Sequence, residues 1–336
     1  MFDFIFDLQL FAEPDYSVNL TTSNHGETVG AMTHGMKTFY DTALLENARA
    51  EAVFGQLGKQ QALPANHGKS VEWRKWNTLP EPDKLTEGVI PNGKKFGQSA
   101  YNVEIVQYGE YVTVSDQLEL HHVDDVILGA SEEVGAAMGK KADMLTRNAI
   151  LAGCTNVIYT PSSTVANPTT IGQIKADCLF TSDMVARAAA NLKKHNAPTI
   201  DGKYVAVIHP SVAYDLRKDS AWVNAHQYDA STEIFTGEIG ELHGVRFVES
   251  TNAPVQAGTA GMVYATLFFG RDSFGVVAPE GAGMETIIKT KEQAGGPLNQ
   301  YSTIGGKMSH AAKVLYVDRM VCVYSSSTFA SVDEAN

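Results

Sequence analysis

The sequence is short of positive charge and short of cysteine, and each shortage excludes something. Lys and Arg number 26 against 38 Asp and Glu, a formal net charge of −12. That balance speaks against a domain that reads DNA sequence, which presents a basic face. It leaves open a surface that merely sits beside nucleic acid. The three cysteines, Cys154, Cys178 and Cys322, lie far apart and none has C-x-x-C spacing. A sparse, odd set argues against a disulfide framework and a structural zinc site, and makes a reducing compartment the expectation. The N-terminal "MFDFIFDLQLFAE" has no basic leading region, is interrupted by Asp3 and Asp7, and is too short to span a bilayer. Phe4, Leu8 and Phe11 recur at helical spacing, so a short amphipathic segment docked on a neighbouring surface fits better, and no membrane partner is expected.

The nucleotide-binding fingerprints are missing as well. No G-x-x-x-x-G-K-[ST] occurs. The glycine-rich stretch "FTGEIGELHGVRFVES" spaces Gly237, Gly240 and Gly244 as G-x-x-G-x-x-x-G, and the last glycine leads into a strand-like run. A dinucleotide loop needs G-x-G-x-x-G opening a helix, whose N-terminal amides hold the phosphate. Turn chemistry is the better reading of these glycines. "HHVDD" at 121–125 has metal-ligand residue types, but adjacent ligands diverge and no third cluster accompanies them; capping of the next helix accounts for the aspartates. "HPS" at 209–211 lacks a nucleophile elbow and sits where a helix begins. Trp73 and Trp76 beside Arg74 and Lys75 admit base stacking, yet such a strand more often packs on another chain. No catalytic, cofactor or metal constellation emerges, and an enzyme is not expected.

What is present is ordinary globular material: 44% hydrophobic and 19% charged residues over a 336-residue chain, enough for a sizeable core. Residues 13–35 are polar and suggest an extended arm; the spacing of Leu44, Leu45, Ala48, Ala52 and Val53 predicts a helix over 38–54, ended by Gly55 and Gly58. Val71 and Trp73 alternate with charged residues, and Tyr101, Val103 and Ile105 alternate on the return. Between them, 80–97 holds three prolines and three glycines. Two strands with so long a polar tip predict a hairpin that reaches toward a partner. A long helix is predicted over 124–152, with acidic residues at its start, Lys140, Lys141 and Arg147 in its later half, and one apolar face. That face runs through Ile127, Ala130, Val134, Met138, Leu145 and Ala149. A helix over 182–195, a strand at 204–208 and a helix from Pro210 follow. The short β runs "VRFVES", "MVYATLFFG", "FGVVAP" and "METIIKT" come next, and "SHAAKVLYVDRMVCVYSSS" closes as one long strand or a hairpin. The fold class is α+β with a discontinuous layout.

The order of arm, hairpin, long helix and late mixed region resembles the major capsid proteins of tailed bacteriophages with the Hong Kong 97-type fold. The likeness runs from about residue 33 to 326. It is carried by "LTEGVIP" at 85–91, "VQYGEYVTVSDQ" at 106–117, "YVAVIHPSVAYDLRKD" at 204–219 and "GEIGELHGVRFVES" at 237–250. At residue level it is similar to the branch typified by the coat protein of coliphage N-four. The resemblance implies an N-terminal arm with a short helix (1–60) and an extended β-hairpin loop (61–104). It further implies a peripheral domain with the spine helix (105–199 plus 300–330) and an axial domain (200–299). It implies a coat subunit forming hexamers and pentamers in an icosahedral shell around double-stranded DNA, touched non-specifically on the inner face. A portal protein and separate scaffolding or decoration proteins are the expected partners, with assembly in the host bacterial cytoplasm and residence in the virion. Inter-subunit contacts are expected at Trp73, Trp76, Leu85, Glu87, Lys94, Lys95 and Phe96, and Gly237, Gly240 and Gly244 are expected as structural turn glycines. About 60 residues precede the hairpin, so a fused scaffolding segment is not expected, and no lysine crosslink is assigned. Two alternatives remain: an encapsulin-type compartment shell on the same fold, and an enzyme with a glycine-rich ligand loop.

Overall fold

The computed structural model describes residues 18–19, 53–64, 68–85, 87–88, 90, 92–121, 125–163, 165–220, 222, 238–259, 261–279, 283–294, 298–329 and 335–336. The N-terminal segment, the arm apart from 18–19, and nearly all of the helix expected over 38–54 lie outside these residues, as do Gly237 and 122–124. The elements in chain order are β1 (Val18–Asn19), α1 (Phe54–Leu57), β2 (Lys59–Leu63), β3 (Ser70–Trp76), β4 (Gln98–Glu104) and β5 (Val106–Ser115). Then come α2 (Asp116–His121), α3 (Val126–Gly153), β6 (Val157–Tyr159), α4 (Ser182–Lys194), β7 (Tyr204–Ile208) and α5 (Pro210–Lys218). The last are β8 (Glu238–Leu242), β9 (Val245–Glu249), β10 (Val255–Gly258), β11 (Gly261–Phe269), β12 (Phe274–Pro279), β13 (Met284–Lys289), β14 (Tyr301–Val314) and β15 (Met320–Ser325). No helix among the described residues is long and apolar enough to cross a membrane.

The chain divides into two compact units. The first takes 107–140 and 282–309 together with β1. Its sheet is ordered β1-β5-β14, with β13 antiparallel to β14. Val114, Leu118, Ile127 and Ile304 form its small core. The start of α3 lies on the sheet at Gly306, where an added Cβ would stand 2.8 Å from Val134 and 3.0 Å from Met138. A glycine there lets helix backbone and strand approach closely. Asp125 caps α3, its Oδ1 accepting the N–H groups of Ile127 and Leu128, both at 3.1 Å. This side-chain cap satisfies donors that have no partner inside the helix.

The second unit holds 52–106, 141–281 and 310–336. Its main sheet runs β6-β15-β11-β7-β9-β8, with β10 on β11. Helices α4 and α5 cover one face, where Ala188, Leu192, Tyr204, Ala206, Ile208 and Leu216 pack. Phe54, Ile150, Val207, Leu267, Phe269 and Phe274 fill the other. Burial on both faces is why β7 is "YVAVI" without alternation, every residue buried. Full burial of Val205, Val207 and Ile208 contributes roughly 1.5–3 kcal/mol each. The rings of Phe269 and Phe274 meet edge-on at 5.4 Å. A smaller layer places β12 between β2, parallel to it, and the end of β14.

The structure departs from or adds to the sequence reading at three places. The closing run is neither one strand nor a hairpin: β14 and β15 belong to different sheets and are joined through the turn Val317–Arg319. Residues 59–63, given no strand by the sequence reading, form one paired to β12 from Lys59↔Gly275 to Leu63↔Pro279. The apolar face of α3 does not continue through Leu145 and Ala149, which are half-buried. The buried positions are Asp143, Thr146, Arg147 and Ile150. They continue the helical period from Met138, and Asp143, Thr146 and Arg147 are each hydrogen-bonded to neighbouring chain, so polarity there does not mark a solvent face.

Candidate functional site

β3 and β4 form a two-stranded ribbon, in register from Ser70↔Glu104 to Trp76↔Gln98, that pairs with no other strand among the described residues. Alternation gives it two faces. Val71, Trp73 and Lys75 are half-buried; Glu72, Arg74 and Trp76 are exposed. Two strands alone are marginal in water, and packing within the second unit supports them. The indole of Trp73 lies on Gly275, where a Cβ would come within 2.7 Å of the ring. The ribbon is closed at one end by the Lys69–Glu104 ion pair and the hydrogen bond from Ile105 N–H to the Lys69 carbonyl at 2.8 Å. At the other end Asn77 N–H donates to the Gly97 carbonyl at 3.0 Å, and Ser99 Oγ donates to Asn77 Oδ1 at 2.7 Å.

Beyond that bond the chain leaves regular structure and exposes apolar side chains. Trp76 and Phe96 stack, with centroids 4.5 Å apart and planes 17° apart, yet remain 61% and 57% exposed. Leu85 is 69% and Ile90 94% exposed. An exposed aromatic stack at a ribbon end, with exposed aliphatic residues along the tip beyond it, has the composition of a contact surface. Lys94 is turned back on the tip, its Nζ bonded to the Glu81 carbonyl and 3.2 Å from an Asp83 oxygen. Glu87 and Lys95 are exposed. The structure thus separates the expected contact residues. Trp76, Leu85, Glu87, Lys95 and Phe96 face solvent, Lys94 is engaged locally, and Trp73 packs on its own chain through Gly275. Trp73 thus anchors the ribbon within its own chain. The signal was available: an odd separation of three residues puts Trp73 and Trp76 on opposite faces of a strand.

The glycine stretch is a second hairpin. Leu242 pairs with Val245, leaving His243 and Gly244 as a two-residue loop with φ of 53° and 78°. Both values are positive, as a type I′ hairpin turn requires, and glycine takes the second without strain. Gly240 is not in the turn. It lies inside β8 at a register shift beside Glu238, with φ 122°, where the extra residue of a bulge needs a conformation closed to side chains. No helix N-terminus follows this stretch.

His121 ends α2 and Asp125 caps α3, so the "HHVDD" ends serve helix termini. No group of three His, Cys, Asp or Glu among the described residues is arranged to hold a metal. His209 caps α5, its Nδ1 accepting Ser211 N–H at 3.3 Å. What the sequence hid is a buried polar set. Asp143 accepts Phe54 N–H and Asn252 Nδ2–H, each at 2.7 Å. Arg147 Nη1 donates to the Asn252 carbonyl at 3.0 Å and to its Oδ1 at 3.3 Å. Burial pushes the Asp143 carboxyl above its ordinary range, against the pull of these hydrogen bonds. Burial lowers the Arg147 guanidinium, with Asp143 opposing. The set ties α3 to the start of α1 and to the loop before β10.

With this geometry in place, comparison with known proteins is specific. The phage capsid protein family matches residues 99–322, about two-thirds of the chain. The fold is similar to the capsid structure of cyanophage P-SCSP1u, with TM-score 0.63 at 16% identity over 92% of this chain and 93% of that one. It is similar to the capsid of Ralstonia phage GP4, with TM-score 0.60 at 15% identity over 100% of both. A virus-like particle from Pyrococcus furiosus matches with TM-score 0.50 at 10% identity over 86% and 99%. No curated protein sequence matches significantly.

Proposed function

The chain belongs to the phage capsid protein family, and from that membership we propose that it is the major capsid protein of a tailed phage, tiling an icosahedral shell as hexamers and pentamers around double-stranded DNA. It is a structural virion protein, and its first partner is itself. The observation that carries the assembly reading is the open Trp76–Phe96 stack at the ribbon end, followed along the tip by exposed Leu85 and Ile90. A monomer gains nothing from displaying them, whereas a closed shell buries the same surface many times over.

Within this reading 61–104 is the extended loop and 200–299 the axial domain. Residues 105–199 with 300–330 form the peripheral domain, and 1–60 the arm. The motifs "LTEGVIP" and "GEIGELHGVRFVES" support placement in the branch typified by the coliphage N-four coat protein. A portal protein, separate scaffolding or decoration proteins and packaged DNA complete the partners, with assembly in the host cytoplasm. A net charge of −12 suits a coat that encloses DNA without gripping it. Expression followed by electron microscopy tests this: closed particles are expected, and small oligomers under every assembly condition would refute it. Native particles filled with DNA, rather than cargo protein, separate a phage coat from an encapsulin-type compartment.

A further inference from the structure

The ribbon shares a cleft of about 230 Å³ with the rest of the second unit. Four cations line it, Lys59, Arg74, Lys75 and Arg319, around the ring of Tyr316, with Asp272 as the one carboxylate. In a chain with 38 acidic and 26 basic residues, such a local excess is the reverse of the overall balance. Tyr316 organises it. Lys75 Nζ stands 4.6 Å from its centroid and the Arg319 guanidinium carbon 3.8 Å. Cation–π attraction holds both heads at the ring, and Arg319 Nη1 is further fixed on the Arg271 carbonyl at 3.2 Å. Arg74 is paired with Glu72 at 2.6 Å. Lys59, Lys75 and Arg319 have no carboxylate within ion-pair distance among the described residues. Converging like charges repel, so the arrangement favours an incoming anion.

The shape decides which anion. The volume falls below the roughly 300–1,000 Å³ of small-molecule pockets and admits side-chain ends rather than a whole ligand. A duplex meets long basic stripes, because it carries one charge per about 1.7 Å of axis. Base stacking is disfavoured because cations already occupy the Tyr316 ring. A planar guanidinium beside two ammonium groups suits carboxylates. The chain supplies them in "EPDKLTE" at 81–87, where Glu81, Asp83 and Glu87 are exposed on irregular backbone and do not line the cleft of their own chain. Glu81 and Glu87 have no ion pair among the described residues.

We propose that this cleft receives carboxylates from a second copy of the chain, supplied by the tip segment 81–87. The inference rests on the shell reading and adds to it a charge lock beside the apolar contacts. The test is assembly of the full chain carrying Lys75→Glu and Arg319→Glu. Particle yield should fall about tenfold or more at unchanged circular dichroism and thermal midpoint. Adding Glu81→Lys, Asp83→Lys and Glu87→Lys to the same chain should restore it. Should the charge reversal disturb folding, Lys75→Gln with Arg319→Gln replaces it, and particles should then form with a weaker dependence on salt. Wild-type chain that forms no particles overturns the shell reading and this proposal together. Particles from the wild type and equally from the reversed variant overturn the cleft alone, as does a loss that the tip reversal fails to restore. Normal shells with lost affinity for duplex DNA would assign the cleft to phosphate, and equally overturn it.

Discussion

Asp143 and Asn252 are 109 residues apart and meet through a hydrogen bond of 2.7 Å, with the Arg147 guanidinium on the far side of the same asparagine. The asparagine thus links a buried carboxylate to a buried guanidinium. Asn252→Ala removes donor and acceptor at once and should destabilise the fold by about 2–4 kcal/mol. Asp143→Ala should cost a similar amount, and the double variant less than the sum, by about 1 kcal/mol of coupling. Urea denaturation of the four chains, performed on unassembled protein, measures the cycle. Strict additivity would show that the set does not act as a unit.

His310 on β14 has its Nε2 2.9 Å from Thr146 Oγ1. Burial lowers its pKa below the ordinary 6.5. A depressed folded value means that its contribution to stability is fully present above the unfolded pKa and is lost as pH falls through the folded one. Asp143, shifted upward by burial, has the opposite sign, since its contribution is present at acid pH and lost as pH rises. Loss of stability as pH falls from 7 to 5 is therefore assigned to His310. Wild type should lose thermal midpoint between pH 7 and 5, and His310→Gln should flatten that part of the profile. An unchanged slope in the variant would remove His310 from the account.

Much of this was legible because it depends on period and punctuation. The alternation of β3 and β4, the proline- and glycine-rich tip, the capped start of α3 and the apolar β11 each follow from local sequence. The orientation of Trp73 followed from strand parity, once face rather than residue type was considered. The later face of α3 was hidden because Asp143 and Arg147 are polar, and only distant Asn252 and Phe54 make their burial tolerable. The separation of β14 from β15 was hidden for a related reason. Alternation identifies a strand but carries no information on which sheet it joins.

Gly244 and Gly240 hold positive φ of 78° and 122° for different reasons, a two-residue turn and a bulge. A β-branched residue is strained at either. Gly244→Val and Gly240→Val should each cost about 1–3 kcal/mol and impair folding or assembly. Gly244→Asn should be close to neutral, because asparagine tolerates the left-handed region that the turn needs. Thermal melts and particle yields rank the three. Normal shells of unchanged stability from both valine variants would show that neither conformation is required.

Trp73 and Trp76 stand three residues apart on opposite faces of one strand, and opposite consequences follow from removing them. Trp73→Ala takes the indole off Gly275 and weakens the ribbon's hold on the rest of the second unit, leaving Lys75 on the Tyr316 ring. The monomer should lose about 2–4 kcal/mol, with proteolysis beginning inside 70–104. Trp76→Ser removes a side chain that is 61% exposed and, among the described residues, stacked on Phe96 alone. Monomer stability should change by about 1 kcal/mol or less, while particle yield falls sharply, because a shell repeats the lost contact at every copy. Limited proteolysis, thermal melts and electron microscopy of the two variants separate the roles. If Trp76→Ser assembled as well as wild type, the exposed stack would not be an inter-subunit contact, and the assembly surface would have to lie elsewhere on the ribbon.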